Sequence, residues 1–165
     1  FALTRSGIDK YEMRAEDIIV VNEKGLVVEP VGQKPSAETL IHCELYKDPT
    51  VGSVLHTHSA FGTRLSLKYL SQEKIEIRDY ELLKGLSGNR THAMVETVPI
   101  LENSQDMIAF SQKLEPVLKL KPKIHGFLIA GHGLYTWGRD INEAKRHVET
   151  FEFLFQSLAY AEMGF

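Results

Sequence analysis

The last stretch of the chain constrains the fold most. Asp140 stands where a helix N-cap belongs, Glu143 completes a capping-box-like pair with it, and Ala144, Val148, Phe151, Leu154, Phe155 and Leu158 fall on one stripe of a 3.6-residue repeat. A helix that is apolar on one side only needs a surface to lie on, and upstream runs supply one. Ile18-Ile19-Val20-Val21 and Leu26-Val27-Val28, separated by Asn22-Glu23-Lys24-Gly25, read as an antiparallel hairpin. Residues Ser53 to His58 read as a strand, Val98-Pro99-Ile100 as a brief one, and Ile124 to Tyr135 as two strands or one bent strand broken at Gly131-His132-Gly133. Helices fall between them. Ser36 is expected to cap one after Pro35, with Leu40, Ile41 and Leu45 facing inward and an end near Asp48-Pro49. Ala60 to Leu70, Asp79 to Leu86 and Ser104 to Leu120 complete the set, the last stopping before Pro122. Short strands interleaved with helices predict an α/β fold, a three-layer α/β/α arrangement with a largely antiparallel central sheet. At 165 residues and 43% hydrophobic content, the expectation is one domain spanning residues 1–165.

Charge and cysteine content narrow the function classes. Lys and Arg number 19 against 22 Asp and Glu, so a net charge of -3 offers no basic field for nucleic acid or an anionic membrane surface. Cys43 is the single cysteine, which rules out an internal disulfide or a thiolate metal cage and suits a reducing cytosol. No apolar run approaches the roughly 20 residues of a membrane helix. A cytoplasmic protein is expected.

Three histidines carry the chemistry. His56 and His58, two apart in a predicted strand, leave the same face and can converge on one ion. The pair also fits two ordinary surface or core imidazoles, so it needs a third ligand. His132 sits between two glycines, where the backbone can bend and leave the ring room to enter a cleft, although a turn histidine would look the same. Three imidazoles without cysteine would leave a zinc ion one open position, as catalytic sites do. Glu38 and Glu81 are candidates for proton transfer. Glu38 lies in the first turn of a predicted helix, where its charge also favours the helix, and Glu81 lies in Tyr80-Glu81-Leu82-Leu83-Lys84-Gly85, where it also fits a solvated face. Spacing does not choose between them. Small-residue turns at Ser6-Gly7, Ser36-Ala37 and Ser87-Gly88-Asn89 are candidates for holding a phosphate, the second aided by a helix N-terminus. His42, His92, His125 and His147 lack comparable spacing, and His147 adjoins the apolar stripe of the last helix, where packing is the expected role.

Taken together, Pro35-Ser36-Ala37-Glu38, His56-Thr57-His58-Ser59, Glu81-Leu82-Leu83-Lys84-Gly85 and Gly131-His132-Gly133-Leu134-Tyr135-Thr136-Trp137-Gly138 resemble the class II aldolase/adducin family nearly end to end. Within it, these segments look most like its dehydratase branch. The resemblance implies one zinc ion per subunit on His56, His58 and His132, with Glu81 matching the dehydratases' acid/base. The implied reaction converts 5-methylthioribulose 1-phosphate to 2,3-diketo-5-methylthiopentyl 1-phosphate in methionine salvage. Glu38 falls where the family's sugar-phosphate aldolases carry their catalytic glutamate, so aldol cleavage or epimerisation of another phosphorylated ketose is the alternative. A non-catalytic adducin-like scaffold is a second alternative, and retention of all three histidines speaks against it. The resemblance further implies a homotetramer with sites between subunits, and a helix and Ser-Gly-Asn turn ahead of the position of Phe1, which the chain is expected to lack.

Overall fold

The computed structural model describes residues 1–9, 12–120 and 124–164, so Pro122, expected to bound a helix, lies outside the described residues. In chain order the strands and helices are β1 (Ala2–Thr4), β2 (Ile18–Val21), β3 (Val27–Glu29), α1 (Thr39–Leu45), β4 (Ser53–Thr57), α2 (Ala60–Lys68), β5 (Lys74–Ile77), β6 (Glu96–Leu101), α3 (Met107–Leu118), β7 (Gly126–Ile129), β8 (Gly133–Gly138) and α4 (Ile141–Met163). By contact the chain divides into two compact units, Phe1–Asp48 with Gln105–Glu115, and Pro49–Ser104 with Pro116–Phe165.

The first unit holds an antiparallel sheet in the order β1-β2-β3. The expected hairpin forms because Asn22 Oδ1 accepts from the amides of Lys24 and Leu26, and Gly25 takes φ +76° to close the turn. Alternation along β2 buries Ile19 and Val21, which meet Leu3 of β1. Helix α1 starts later than expected. Ser36 Oγ accepts from the Glu38 amide at 3.3 Å and Ser36 O accepts from Thr39, so residues 36–38 form a side-chain-closed turn and Glu38, not Ser36, is the residue before the helix. Ile41 and Leu45 are fully buried, as their spacing implies.

The second unit is built on a five-stranded sheet in the order β4-β8-β7-β6-β5. Every neighbouring pair is antiparallel except β6 with β7, which matches the expected largely antiparallel sheet. The apolar run broken at Gly131 resolves into two strands, β7 and β8, folded back on one another. Strand β5 was missed, its two apolar residues Ile75 and Ile77 being set among Lys74, Glu76 and Arg78, which pair with one another in solvent. Helix α4 lays Phe151, Leu154, Phe155 and Ala159 inward, each fully buried, beside Leu65 of α2 and Leu128 and Leu134 of the sheet, and Ala144 is fully buried as well. Each large side chain of that cluster contributes about 1.5–3 kcal/mol by leaving water. Asp140 caps α4 by accepting from the Glu143 amide at 2.9 Å. The reciprocal half of the box differs, because the Glu143 carboxylate accepts from the Arg139 amide and guanidinium instead. Among the described residues no helix is long and apolar enough to cross a membrane.

Candidate metal centre

Pairing of β4 with β8 sets the first ligand. His56 lies opposite Tyr135, and the two rings stack with centroids 4.2 Å apart. His56 Nδ1–H donates to the Leu134 carbonyl at 2.9 Å, which fixes the tautomer and turns the Nε2 lone pair outward. His58 lies one residue beyond β4 rather than within it, yet its Nε2 comes to 2.9 Å from His56 Nε2. The next residue, Ser59, caps α2 by accepting from the Gly62 amide, so His58 is held between a strand end and a helix start.

His132 occupies the turn from β7 to β8. Its amide donates to Ile129 O at 3.0 Å, and Gly131 supports the turn with φ +66°. Helix α2 grips this turn twice: Gly131 N–H donates to Ser66 Oγ at 3.0 Å, and Thr63 Oγ1–H donates to the His132 carbonyl at 3.1 Å. On the other flank of His132, Gly133 brings the backbone so near β4 that an added Cβ would overlap the Thr57 carbonyl oxygen and lie 3.0 Å from His56 Cε1. The two glycines have different tasks, one of backbone angle and one of close approach.

The three rings lie 4.7–4.9 Å apart between centroids, and one nitrogen from each falls within 4.8 Å of the others. Zinc–nitrogen bonds of ~2.0–2.1 Å put tetrahedral ligands about 3.3 Å apart, a spacing this set reaches with small rotations. The donor chemistry also fits, since His56 gives its second nitrogen to a backbone carbonyl as metal-bound imidazoles do. His58 is exposed and the other two half-buried, which leaves a side open for a small molecule.

Glu81 opens a short 3-10 turn, Glu81–Gly85, with its carboxylate exposed. Among the described residues its partners are Lys84 and, at 3.7 Å, His92. The Lys84 hydrogen bond holds its pKa below the usual carboxylate value, so Glu81 is ionised at neutral pH and in the form of a base. Glu38 is half-buried at the start of α1. Gly7 and Gly88 both take left-handed angles with open space around them. The Ser6 amide donates to Lys34 O, and the Ser36 hydroxyl is used by its own turn.

Sequence reasoning missed a buried polar network around Ser87. His125 donates from Nδ1 to Glu96 and from Nε2 to the Ser87 carbonyl, at 2.9 and 2.6 Å. Burial alone would lower the His125 pKa, but the Glu96 carboxylate and that carbonyl outweigh it and raise the pKa. His147 donates from Nδ1 to Trp137 O at 2.7 Å and accepts from the Ser87 amide at 3.1 Å; burial pushes its pKa down to about 4, keeping it neutral. Packing was the expected role of His147, and it is buried, but with both ring nitrogens engaged. The one sequence sign of the network was Glu143 at the capping position.

A mixed sheet with three imidazoles converging at the end of β4 and the β7–β8 turn defines an α/β domain with a candidate metal site, and the class II aldolase and adducin N-terminal domain matches residues 1–159, so the chain belongs to that family. A methylthioribulose-1-phosphate dehydratase of Stenotrophomonas maltophilia strain K279a is 47% identical over 156 residues, covering 93% of this chain and 72% of that protein. One of Pseudomonas fluorescens strain Pf0-1 is 46% identical over 155 residues, covering 93% and 74%. Among solved structures, the L-fuculose-1-phosphate aldolase from Thermus thermophilus superposes with a TM-score of 0.73 at 23% identity, covering 98% of this chain and 78% of that one, a likeness of fold.

Proposed function

We propose that this chain dehydrates 5-methylthioribulose 1-phosphate to 2,3-diketo-5-methylthiopentyl 1-phosphate, a step of methionine salvage, as a carbon–oxygen lyase. The observation that carries the reading is the convergence of His56, His58 and His132 in a chain whose relatives at 46–47% identity are dehydratases of this name. The three histidines would hold one zinc ion per chain. When bound, zinc supplies Lewis-acid polarisation of the ketose carbonyl, which acidifies the proton on carbon 3.

The residues then divide the remaining work. The Glu81 carboxylate, ionised at neutral pH, takes the carbon 3 proton. The electron pair left on carbon 3 is shared with the carbon 2 carbonyl and then forms the carbon 3–carbon 4 double bond as the carbon 4 hydroxyl, protonated by the same carboxyl group or by water, departs as water. The enol left behind tautomerises to the diketone, and no electrons are gained or lost. His56 is kept from rotating by its bond to Leu134 O, and the backbone that carries His132 is held in place by Thr63 and Ser66.

Glu38 is assigned an auxiliary role toward substrate, and the Ser6-Gly7 turn, the Ser36 turn and Gly88 are each a separate phosphate candidate, Gly7 and Gly88 having open space where a side chain would stand. A homotetramer in the cytoplasm belongs to the same reading, in keeping with a lone, buried Cys43. The test is to load purified protein with zinc and offer methylthioribulose 1-phosphate and fuculose 1-phosphate separately. Turnover of the first by water loss is expected; cleavage of the second with no action on the first would overturn the dehydratase reading in favour of an aldolase.

A further inference from the structure

Ser87 has all three of its polar groups held by side chains distant in sequence. Its carbonyl accepts from His125 Nε2 at 2.6 Å, its amide donates to His147 Nε2 at 3.1 Å, and its hydroxyl donates to Glu143 Oε1 at 2.5 Å while accepting from Arg146 at 3.0 Å. The groups that hold it are themselves fixed. Glu96 is 1% exposed and takes both the His125 side chain and the His125 amide, Glu143 is clasped by Arg139, and His147 is tied to Trp137 O. Ion-paired and hydrogen-bonded groups at this depth cost free energy to bury, and a buried polar network that is fully satisfied gives a segment one well-defined position.

The segment positioned is the one that ends at Ser87. Leu83 and Leu86 are fully buried in the apolar core, Arg146 Nε donates to the Gly85 carbonyl at 2.9 Å, and Gly85 lies so close to Thr150 of α4 that an added Cβ would overlap its hydroxyl. Glu81 is therefore an exposed carboxylate on a turn bolted down from beneath. A phosphate contact at the Ser87 hydroxyl, in contrast, would have to form against the Glu143 carboxylate 2.5 Å away.

We propose that Ser87, with His125–Glu96 on one side and His147–Glu143 on the other, is a latch that positions the Glu81–Gly85 turn, making Ser87, His125 and Glu96 positioning residues for the proton transfer at Glu81. The inference rests on Glu81 being the acid/base. A 1 Å displacement of a catalytic group costs up to about 10²-fold in rate, so loss of one of several ties is expected to cost about tenfold.

The experiment is a double-mutant cycle on zinc-loaded protein with methylthioribulose 1-phosphate as substrate. Ser87→Ala should lower kcat about tenfold with KM and zinc content changed less than about twofold, and Ser87→Thr, which keeps the hydroxyl, should recover most of the loss. In a Glu81→Gln background, Ser87→Ala should change the residual rate less than about twofold, because the carboxylate it positions is already gone. An unchanged kcat in Ser87→Ala, or the same tenfold fall in both backgrounds, overturns the latch while leaving Glu81 in place. A wild-type rate in Glu81→Gln removes the Glu81 assignment itself. Should Ser87→Ala fail to fold, Glu96→Gln serves in the same cycle, since it keeps shape while withdrawing the charge that favours both ring protons on His125, and the same outcomes apply.

Discussion

Ala substituted at Gly133 should cost the chain its metal, whereas Ala at Gly131 should not. At Gly133 the added methyl would lie 2.2 Å from the Thr57 carbonyl oxygen and 3.0 Å from His56 Cε1, and the first of these is backbone that cannot rotate away. Relief requires β4 to move off β8, where His56 is paired with Tyr135 and donates to Leu134 O. Overpacking of this kind costs about 1–3 kcal/mol, which in a domain of this size lowers Tm by about 2–12 °C. The same movement separates His56 from His132, and disturbed ligand support costs about 10–100-fold in metal affinity. At Gly131 the obstacle is instead φ +66°, worth about 1–2 kcal/mol for a residue with a Cβ, and the nearest atom, Leu67 Cδ2 at 3.3 Å, belongs to an exposed, flexible side chain. The assay is zinc competition against a chromophoric chelator beside thermal melts of both variants without metal. Wild-type zinc affinity in Gly133→Ala would refute the reasoning, as would equal affinity losses in the two variants at equal Tm.

Glu81→Gln should keep zinc and fold but lose dehydration by about 10²-fold or more, with Glu38→Gln losing less; steady-state rates on metal-loaded protein decide between them. Metal analysis should find one zinc per chain in the wild type and little in His58→Ala; full occupancy in a variant lacking all three histidines would place the metal elsewhere. His147 gives a pH dependence of known sign. Its folded pKa, about 4, lies below an unfolded value near 6.5, so the unfolded chain binds the extra proton and stability falls as pH drops from about 6.5 toward 4, by about 3 kcal/mol. Denaturant midpoints across that window should slope less in His147→Gln than in the wild type.

What the sequence made legible follows from the range of the interactions involved. Periodicity and capping are local, so α4, the hairpin of β2 and β3, and β4 were read where they occur, and the three histidines were found because their spacing and flanking glycines are visible in the chain itself. Ser36 misled because the same hydroxyl that caps a helix also closes a turn, and only the path of residues 36–38 tells which. Strands β1 and β5 escaped because they are three and four residues long, too short for a repeat to stand out. The network around Ser87 was illegible for a different reason: Glu96 and Glu143 look like any other acids until the fold buries them, and His125 meets Ser87 only through tertiary structure. Glu81's relation to the histidines was equally beyond spacing, since that segment and the ligand strands are joined by no local pattern.

The place of β4 at the border of its sheet bears on how metal enters and leaves. Among the described residues, the strand carrying His56 has one neighbour in its sheet, β8, while His132 sits in a hairpin turn braced by α2. Opening of such a border is cheaper than opening of the interior strands, because only one ladder must be given up. The three candidate ligands are thus split between a fixed half and a half able to fray, and exchange of an ion held by them would be timed by the breathing of β4 rather than by global unfolding. A chelator would meet the ion at that rate, and amide exchange along Ser53–Thr57 would report the same clock.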